Sequence, residues 1–215
     1  MMGTIEAELK LVIAGNHDIS LDQQNRVQDM SNDEYSQYHR CAFEIMTGRL
    51  AKDAGVTYLE EGTHEFTLQN GAHFTIYASP YTCGSGHWGF QYLAHEDRFN
   101  DATQVASSKT SIAMNPIRAG VDIVMTHGPP HTILDQVDGQ NLGCPNLLRA
   151  IGRMRPLMHC FGHIHEGYGA NIFTWNADGS VKDPASATPM ETEQNNDYPD
   201  TNEWPIRRGG ENSYG

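Results

Sequence analysis

Three short, mostly apolar runs each end in a loop that carries both glycine and histidine: LVIA at residues 11–14, VDIVM at 121–125 and LMHCF at 157–161. The loops read GNHD, THGPPH and GHIHEGYG. A run of four or five apolar residues stopped by a turn is the pattern of a strand buried on both faces, because continuous apolarity leaves no side for water. Helical patterns fall between these runs, and strands alternating with helices place the chain in the α/β class. In an open α/β sheet the loops after the carboxyl ends of the strands gather along one edge, where sites form. The strand ends are therefore expected to bring the polar cluster of each loop to one place.

The rest of the chain supplies the elements such a sheet needs. Residues 33–54 repeat apolar side chains at helical spacing, at Tyr38, Cys41, Ala42, Ile45 and Leu50. Ser31 or Asn32 can cap that helix, and Gly55 closes it. VTYLEEG, THEFTLQNG and AHFTIYASP follow, rich in β-branched and aromatic residues, the last two joined through Asn70-Gly71. They read as sequential strands in an antiparallel part of a sheet, with a tight hairpin at Asn70-Gly71. YTCGSGHWGF, residues 81–90, reads equally as the rim of a ligand cleft and as an ordinary packed surface loop. A further helix is expected over 145–153. After Asn176 the chain is polar, proline-bearing and without period, so one domain is expected over 1–176 and a disordered or loosely applied segment over 177–215.

A chain of 215 residues can bury a sizeable core, and its charge limits what it can bind. The net charge of -13 opposes binding to nucleic-acid phosphates, and Arg207-Arg208 is an isolated pair rather than a basic patch. Cys41, Cys83, Cys144 and Cys160 are widely spaced and form no C-x-x-C, and MMGTIEAELK has no basic segment leading into an apolar run. A cytoplasmic protein with free thiols is the expectation. No stretch reaches the roughly 18 apolar residues of a membrane helix.

The chemistry lies in the loops. Asn16, His127, His163 and His165 offer neutral oxygen and nitrogen donors, which suit divalent Mn, Fe or Zn better than magnesium or calcium. The H-x-H of His163 and His165 reads as one extended segment, which points both imidazoles to the same side. A single histidine at any of these places is more often structural, and it is their occurrence on three strand ends together that points to a site.

GNHD, THGPP and GHIHEGYG, in that order and each after a strand signal, resemble the last three motifs of the calcineurin-like metallophosphoesterases. The resemblance is nearest to the branch of metallophosphoesterase-domain-containing proteins and covers residues 6–175. It implies an α/β sandwich of two mixed β-sheets flanked by helices. It also implies that Asn16, His127 and His163 hold one metal and His165 the other. His17 would give the proton to the leaving alkoxide, with Asp18 as a supporting group. The implied activity is hydrolysis of a phosphodiester or small phosphomonoester by metal-activated water. In such dinuclear centres two ions activate water and neutralise charge built up in in-line attack. The metals would also let an acidic protein hold an anionic ester.

The family's two earlier motifs, Asp-x-His and Gly-Asp, do not occur: no aspartate stands two residues before any of the 11 histidines, and no glycine precedes an aspartate. The resemblance therefore implies an N-terminally incomplete domain whose dinuclear centre lacks its bridging carboxylate and keeps His165 alone for one ion. Two other expectations follow. One is a non-catalytic metal-binding or regulatory remnant of the fold. The other is a mononuclear zinc hydrolase using His127, His163 and His165, with His131 as a substitute. Missing strands would also expose sheet edges to aggregation or to pairing with another chain.

Overall fold

The computed structural model describes residues 2–24, 30–84, 86–182 and 188–189. Most of the segment 177–215, expected to be disordered or loosely applied, lies outside the described residues. The architecture is mixed α/β. In chain order come β1 (Lys10–Val12), α1 (Asn32–Thr47), α2 (Arg49–Asp53), β2 (Val56–Tyr58), β3 (Gly62–Thr67), β4 (His73–Ser79), β5 (Thr82–Cys83), β6 (Gln91–Tyr92), β7 (Glu96–Asp97) and β8 (Thr110–Ser111). There follow β9 (Ile123–Thr126), β10 (Gln136–Val137), β11 (Gln140–Asn141), α3 (Pro145–Met154), β12 (Met158–Phe161), β13 (Asn171–Ile172) and β14 (Thr188–Pro189).

The first helix starts where Ser31 closes a capping box with Glu34, which satisfies two backbone N–H groups that helical bonding leaves over. The expected single helix over 33–54 is two helices, because the backbone turns extended at Gly48, the C-cap of α1 and the N-cap of α2. Gly55, at φ 68°, ends α2 as anticipated. Tyr35 is the buried residue of α1. Its hydroxyl lies 2.6 Å from the Asp22 carbonyl and 2.7 Å from that of Ile19, which ties the helix to the loop after β1.

Four strands form the principal sheet in the order β12-β9-β4-β3. The β3–β4 hairpin is antiparallel and turns where Gly71 takes φ 85°, as the Asn70-Gly71 pair predicts. Strand β9 runs parallel to both β4 and β12. Strand β2 departs from expectation: it pairs in parallel with β1, in a separate two-stranded sheet, rather than joining β3. The reason is connectivity. Helices α1 and α2 form the crossover that parallel neighbours require, and Gly62, at φ 148°, lets the chain leave β2 for the other sheet.

Side-chain alternation places one core on each face of the principal sheet. Tyr77 and Val124 point into the larger core, with Phe99, Ile117, Leu147, Ala150 and Ile151. The last three lie on α3 at i, i+3, i+4 spacing, behind the N-cap Cys144 and Pro145 in the first turn. On the other face Ile76 and Ala78 pack with Leu59, Leu11, Ile13, Ile123 and Met125, so the β1–β2 pair lies against the sheet. Among the described residues all four cysteines are free thiols, and no helix is long and apolar enough to cross a membrane.

Candidate metal centre

The loop after β1 is a tight turn braced by its own aspartate. The Asp18 N–H donates to the Gly15 carbonyl at 3.0 Å, and the Gly15 N–H donates to Asp18 Oδ2 at 2.8 Å. This leaves Asn16 buried, at 6% exposure, and His17 exposed. Asp18 thus holds the turn that presents its two neighbours. Gly15 admits the closest approach: a Cβ there would stand 2.5 Å from His127 Cε1.

His127 is fixed by the continuation of the sheet ladder past β9. Its N–H donates to the Ser79 carbonyl and its carbonyl accepts from the Gly162 N–H, both at 3.0 Å. His163 lies in a γ-turn: the Ile164 N–H donates to the Gly162 carbonyl at 2.9 Å, and His163 itself sits at φ 72°. Such a conformation is unfavourable for a residue with a Cβ and is held here by the surrounding structure. The extended H-x-H expected from sequence is therefore replaced by a γ-turn running into a 3₁₀ turn, His165–Gly167, with His163 half-buried and His165 exposed.

The three loops meet at one oxygen. Asn16 Oδ1 lies 2.7 Å from His127 Nε2 and 3.2 Å from His163 Nδ1, and the two imidazole rings are 5.0 Å apart at 65°. The amide oxygen accepts hydrogen bonds from both rings. Burial, with His163, His17 and His165 nearby and Asp18 opposing them, pushes the His127 pKa down to about 4. Burial, then His165 and His17, also lowers that of His163. Both rings are consequently neutral at pH 7, the state in which imidazole binds a metal. Asn16, His17, Asp18 and His127 line a cleft of about 340 Å³. A larger cleft, about 560 Å³, runs beside β12 among apolar groups such as Ile133, Phe173 and Trp175, and none of these six candidates lines it.

Of the six sequence candidates, Asn16, His127 and His163 come into direct contact. His17 and Asp18 stand on the same turn, and His165 stands beyond His163 within electrostatic reach. His131, the substitute ligand of the mononuclear alternative, faces Asp135 instead, with Nδ1 3.7 Å from Oδ2. Among the described residues no three His, Cys, Asp or Glu groups converge as a cation site. Three donors are reached only when the Asn16 amide is counted.

Two residues near the site escaped the sequence reading. Asp22, at 6% exposure, accepts from the Phe90 N–H at 2.7 Å and the Gln24 N–H at 3.1 Å, joining the first loop to the glycine-rich one. Trp88 lies on His17 with ring centroids 4.4 Å apart. The glycines and aromatics of residues 81–90 marked that loop as a rim, but periodicity carries no information on which ring meets which.

No family model matches the chain. Over 176 residues it is 35% identical to metallophosphoesterase domain-containing protein 1 of Homo sapiens, in an alignment covering 78% of this chain and 48% of that protein. A UPF0046 protein of Caenorhabditis elegans is 32% identical over 182 residues, 79% of this chain and 41% of its own length. A probable rhamnogalacturonate lyase C of Emericella nidulans is 33% identical over 169 residues, 78% of this chain but 13% of that much longer protein. The chain spans about half the length of the metallophosphoesterase-domain relatives it matches. A similarity of this extent, together with asparagine and histidine loops closing on one point, has one reading: the chain belongs to the metallophosphoesterase-domain branch of the metallophosphoesterases.

Proposed function

We propose that the chain is a metal-dependent phosphoesterase domain on the calcineurin-like sandwich, hydrolysing a phosphodiester or a small phosphomonoester. The observation that carries this reading is the convergence of Asn16 Oδ1, His127 Nε2 and His163 Nδ1 from three separate strand ends. A neutral amide oxygen and two neutral imidazoles form the mixed O/N donor set that Mn, Fe or Zn accepts. These residues fit one divalent ion, and His165 is the group available to a second. When bound, the metal supplies Lewis acidity toward the phosphoryl oxygens and lowers the pKa of water.

The chain's own residues do the rest. Gly15 lets the turn come close enough to His127 for Asn16 to reach both rings. His17, exposed, lining the cleft and next in sequence to Asn16, would protonate the leaving alkoxide. Asp18 holds the turn rather than moving a proton, since its Oδ2 is engaged with the Gly15 N–H. With a net charge of -13, a small ester suits this surface and a nucleic acid does not. A second reading, a metal-binding domain without turnover, draws support from the absence of a carboxylate joined to the cluster among the described residues.

Metal analysis of the purified chain and turnover of bis(4-nitrophenyl) phosphate with added Mn(II) separate the two. The enzyme reading requires at least one tightly held ion per chain and turnover that chelation removes. Bound metal without turnover would leave the second reading standing.

A further inference from the structure

The groups around His17 serve it more closely than a surface turn requires. Its imidazole is exposed, and an exposed side chain on a turn samples several rotamers. A proton donor to a leaving oxygen needs one, because reaction geometry tolerates little displacement. Trp88 meets the imidazole at 4.4 Å with the planes inclined by 33°, a tilted stack that covers the ring face and leaves its nitrogens, on the ring edge, open.

The backbone around Trp88 is joined to the metal centre itself. The Gly89 N–H donates to the Asn16 carbonyl at 2.9 Å, so the residue after Trp88 is bonded to the residue before His17. One position further on, the Phe90 N–H donates to the buried Asp22 carboxylate at 2.7 Å, and the Phe90 carbonyl accepts from the Thr82 N–H at 2.9 Å. Gly89 allows this approach, since a Cβ there would lie 3.2 Å from Ile19 Cα and 3.5 Å from the Asn16 carbonyl oxygen. Trp88 and His17 are thus carried on two segments in fixed register.

We propose that Trp88 is the positioning residue for His17, holding its imidazole by stacking so that a ring nitrogen faces the leaving oxygen. This rests on the reading of the chain as a phosphoesterase with His17 as its acid. Trp88 takes no proton and touches no reacting atom. Its effect is confined to the step in which the leaving group needs protonation, so it scales with how poor that leaving group is.

The test uses the full chain with Mn(II) and a series of aryl and alkyl phosphodiesters spanning good and poor leaving groups. Trp88→Leu is expected to lower kcat by about tenfold to a hundredfold for poor leaving groups. It should change kcat little for 4-nitrophenolate, and KM little throughout. Trp88→Phe, which keeps a ring in the stack, should recover most of the loss. Independently of turnover, the imidazole C–H resonances of His17 in the metal-free protein should show an upfield ring-current shift that Trp88→Leu removes and that leaves His127 and His163 unmoved. Uniform slowing across the series, or an unchanged His17 resonance, would overturn the inference and leave the phosphoesterase reading intact. No turnover by the unmutated chain would overturn both.

Discussion

Linked through Ser79 to the His127 backbone, Glu61 and Arg98 form an ion pair that is nearly removed from water, with side chains 10% and 11% exposed. Arg98 Nε and Nη2 donate to the two carboxylate oxygens at 2.9 and 3.0 Å, and Ser79 Oγ donates to Glu61 Oε1 at 3.0 Å. The guanidinium carbon stands 3.2 Å from the centroid of the Tyr81 ring, which packs edge-on against Phe90. The Arg98→Met substitution keeps the apolar stem and removes the charge. It leaves the Glu61 carboxylate desolvated and without its cation, a loss of about 3–5 kcal/mol for a pair this deeply buried. Removing both charges with Glu61→Gln and Arg98→Met together costs much less, because no unpaired ion remains. The double-mutant cycle should therefore return a coupling of about 2 kcal/mol or more. Urea unfolding followed by circular dichroism measures all four variants, and equal m values would show that only native-state stability has changed. A loss below about 1 kcal/mol for Arg98→Met, the value of an exposed pair, would refute the assignment of this pair as a desolvated one. The site would register the change too, because the Ser79 that donates to Glu61 also gives its carbonyl to the His127 N–H.

Three other substitutions test separate parts of the structure. Gly15→Ala puts a methyl group 2.5 Å from His127 Cε1 and should displace that ring, weakening Mn(II) or Zn(II) binding by at least about tenfold while the fold persists; unchanged affinity in calorimetry would contradict the close approach. His17→Ala should slow poor leaving groups by about a hundredfold and good ones far less, and equal slowing would remove its acid role. His159 donates from Nε2 to Thr126 Oγ1 at 2.9 Å, and burial lowers its pKa to about 3. Its folded pKa lies below the unfolded value of about 6.5, so between those limits the unfolded chain binds the proton that the folded chain refuses. The stability it contributes is therefore complete above pH 6.5 and drains as pH falls towards 3, with a slope of up to about 1.4 kcal/mol per pH unit. His159→Gln, which keeps a donor for Thr126, should flatten the dependence of Tm on pH below 6.5, and an unaltered slope would count against burial as the cause.

What was legible in the sequence was what a short window determines. Apolar runs stopped by glycine located β1, β9 and β12 to within two residues, and Asn70-Gly71 located the β3–β4 turn, since both signals are local. Which strands pair is not local. Nothing in VTYLEEG distinguishes the antiparallel neighbour of β3 from the parallel neighbour of β1. That choice depends on the crossover through α1 and α2 and on the left-handed backbone of Gly62. The break at Gly48 was hidden for the opposite reason: one glycine in a helical window is tolerated as often as it interrupts. The H-x-H pair departs from expectation because its extended form is the default, whereas His163 takes a conformation that only its surroundings can hold.

The sheet arrangement changes what the three loops require of the fold. His127 and His163 follow adjacent parallel strands of one sheet, so hydrogen bonds set their spacing, and the Gly162 N–H to His127 carbonyl bond extends that ladder into the site. Asn16 follows β1, which belongs to the other sheet, and among the described residues no strand pairing joins β1 to β4, β9 or β12. The position of Asn16 relative to the two imidazoles therefore rests on other links, two of them close to Asn16 itself. One is the packing of Leu11 and Ile13 against Ile76, Ala78, Ile123 and Met125, and the other is the clasp of the Gly89 N–H on the Asn16 carbonyl. Apolar packing is non-directional and fixes separation better than it fixes rotation. The clasp supplies the missing direction, because a backbone hydrogen bond to the carbonyl of Asn16 orients the peptide from which its side chain departs. The glycine-rich loop thus touches both residues of the turn, Asn16 through its backbone and His17 through Trp88, and a change that loosens it should disturb Asn16 and His17 together.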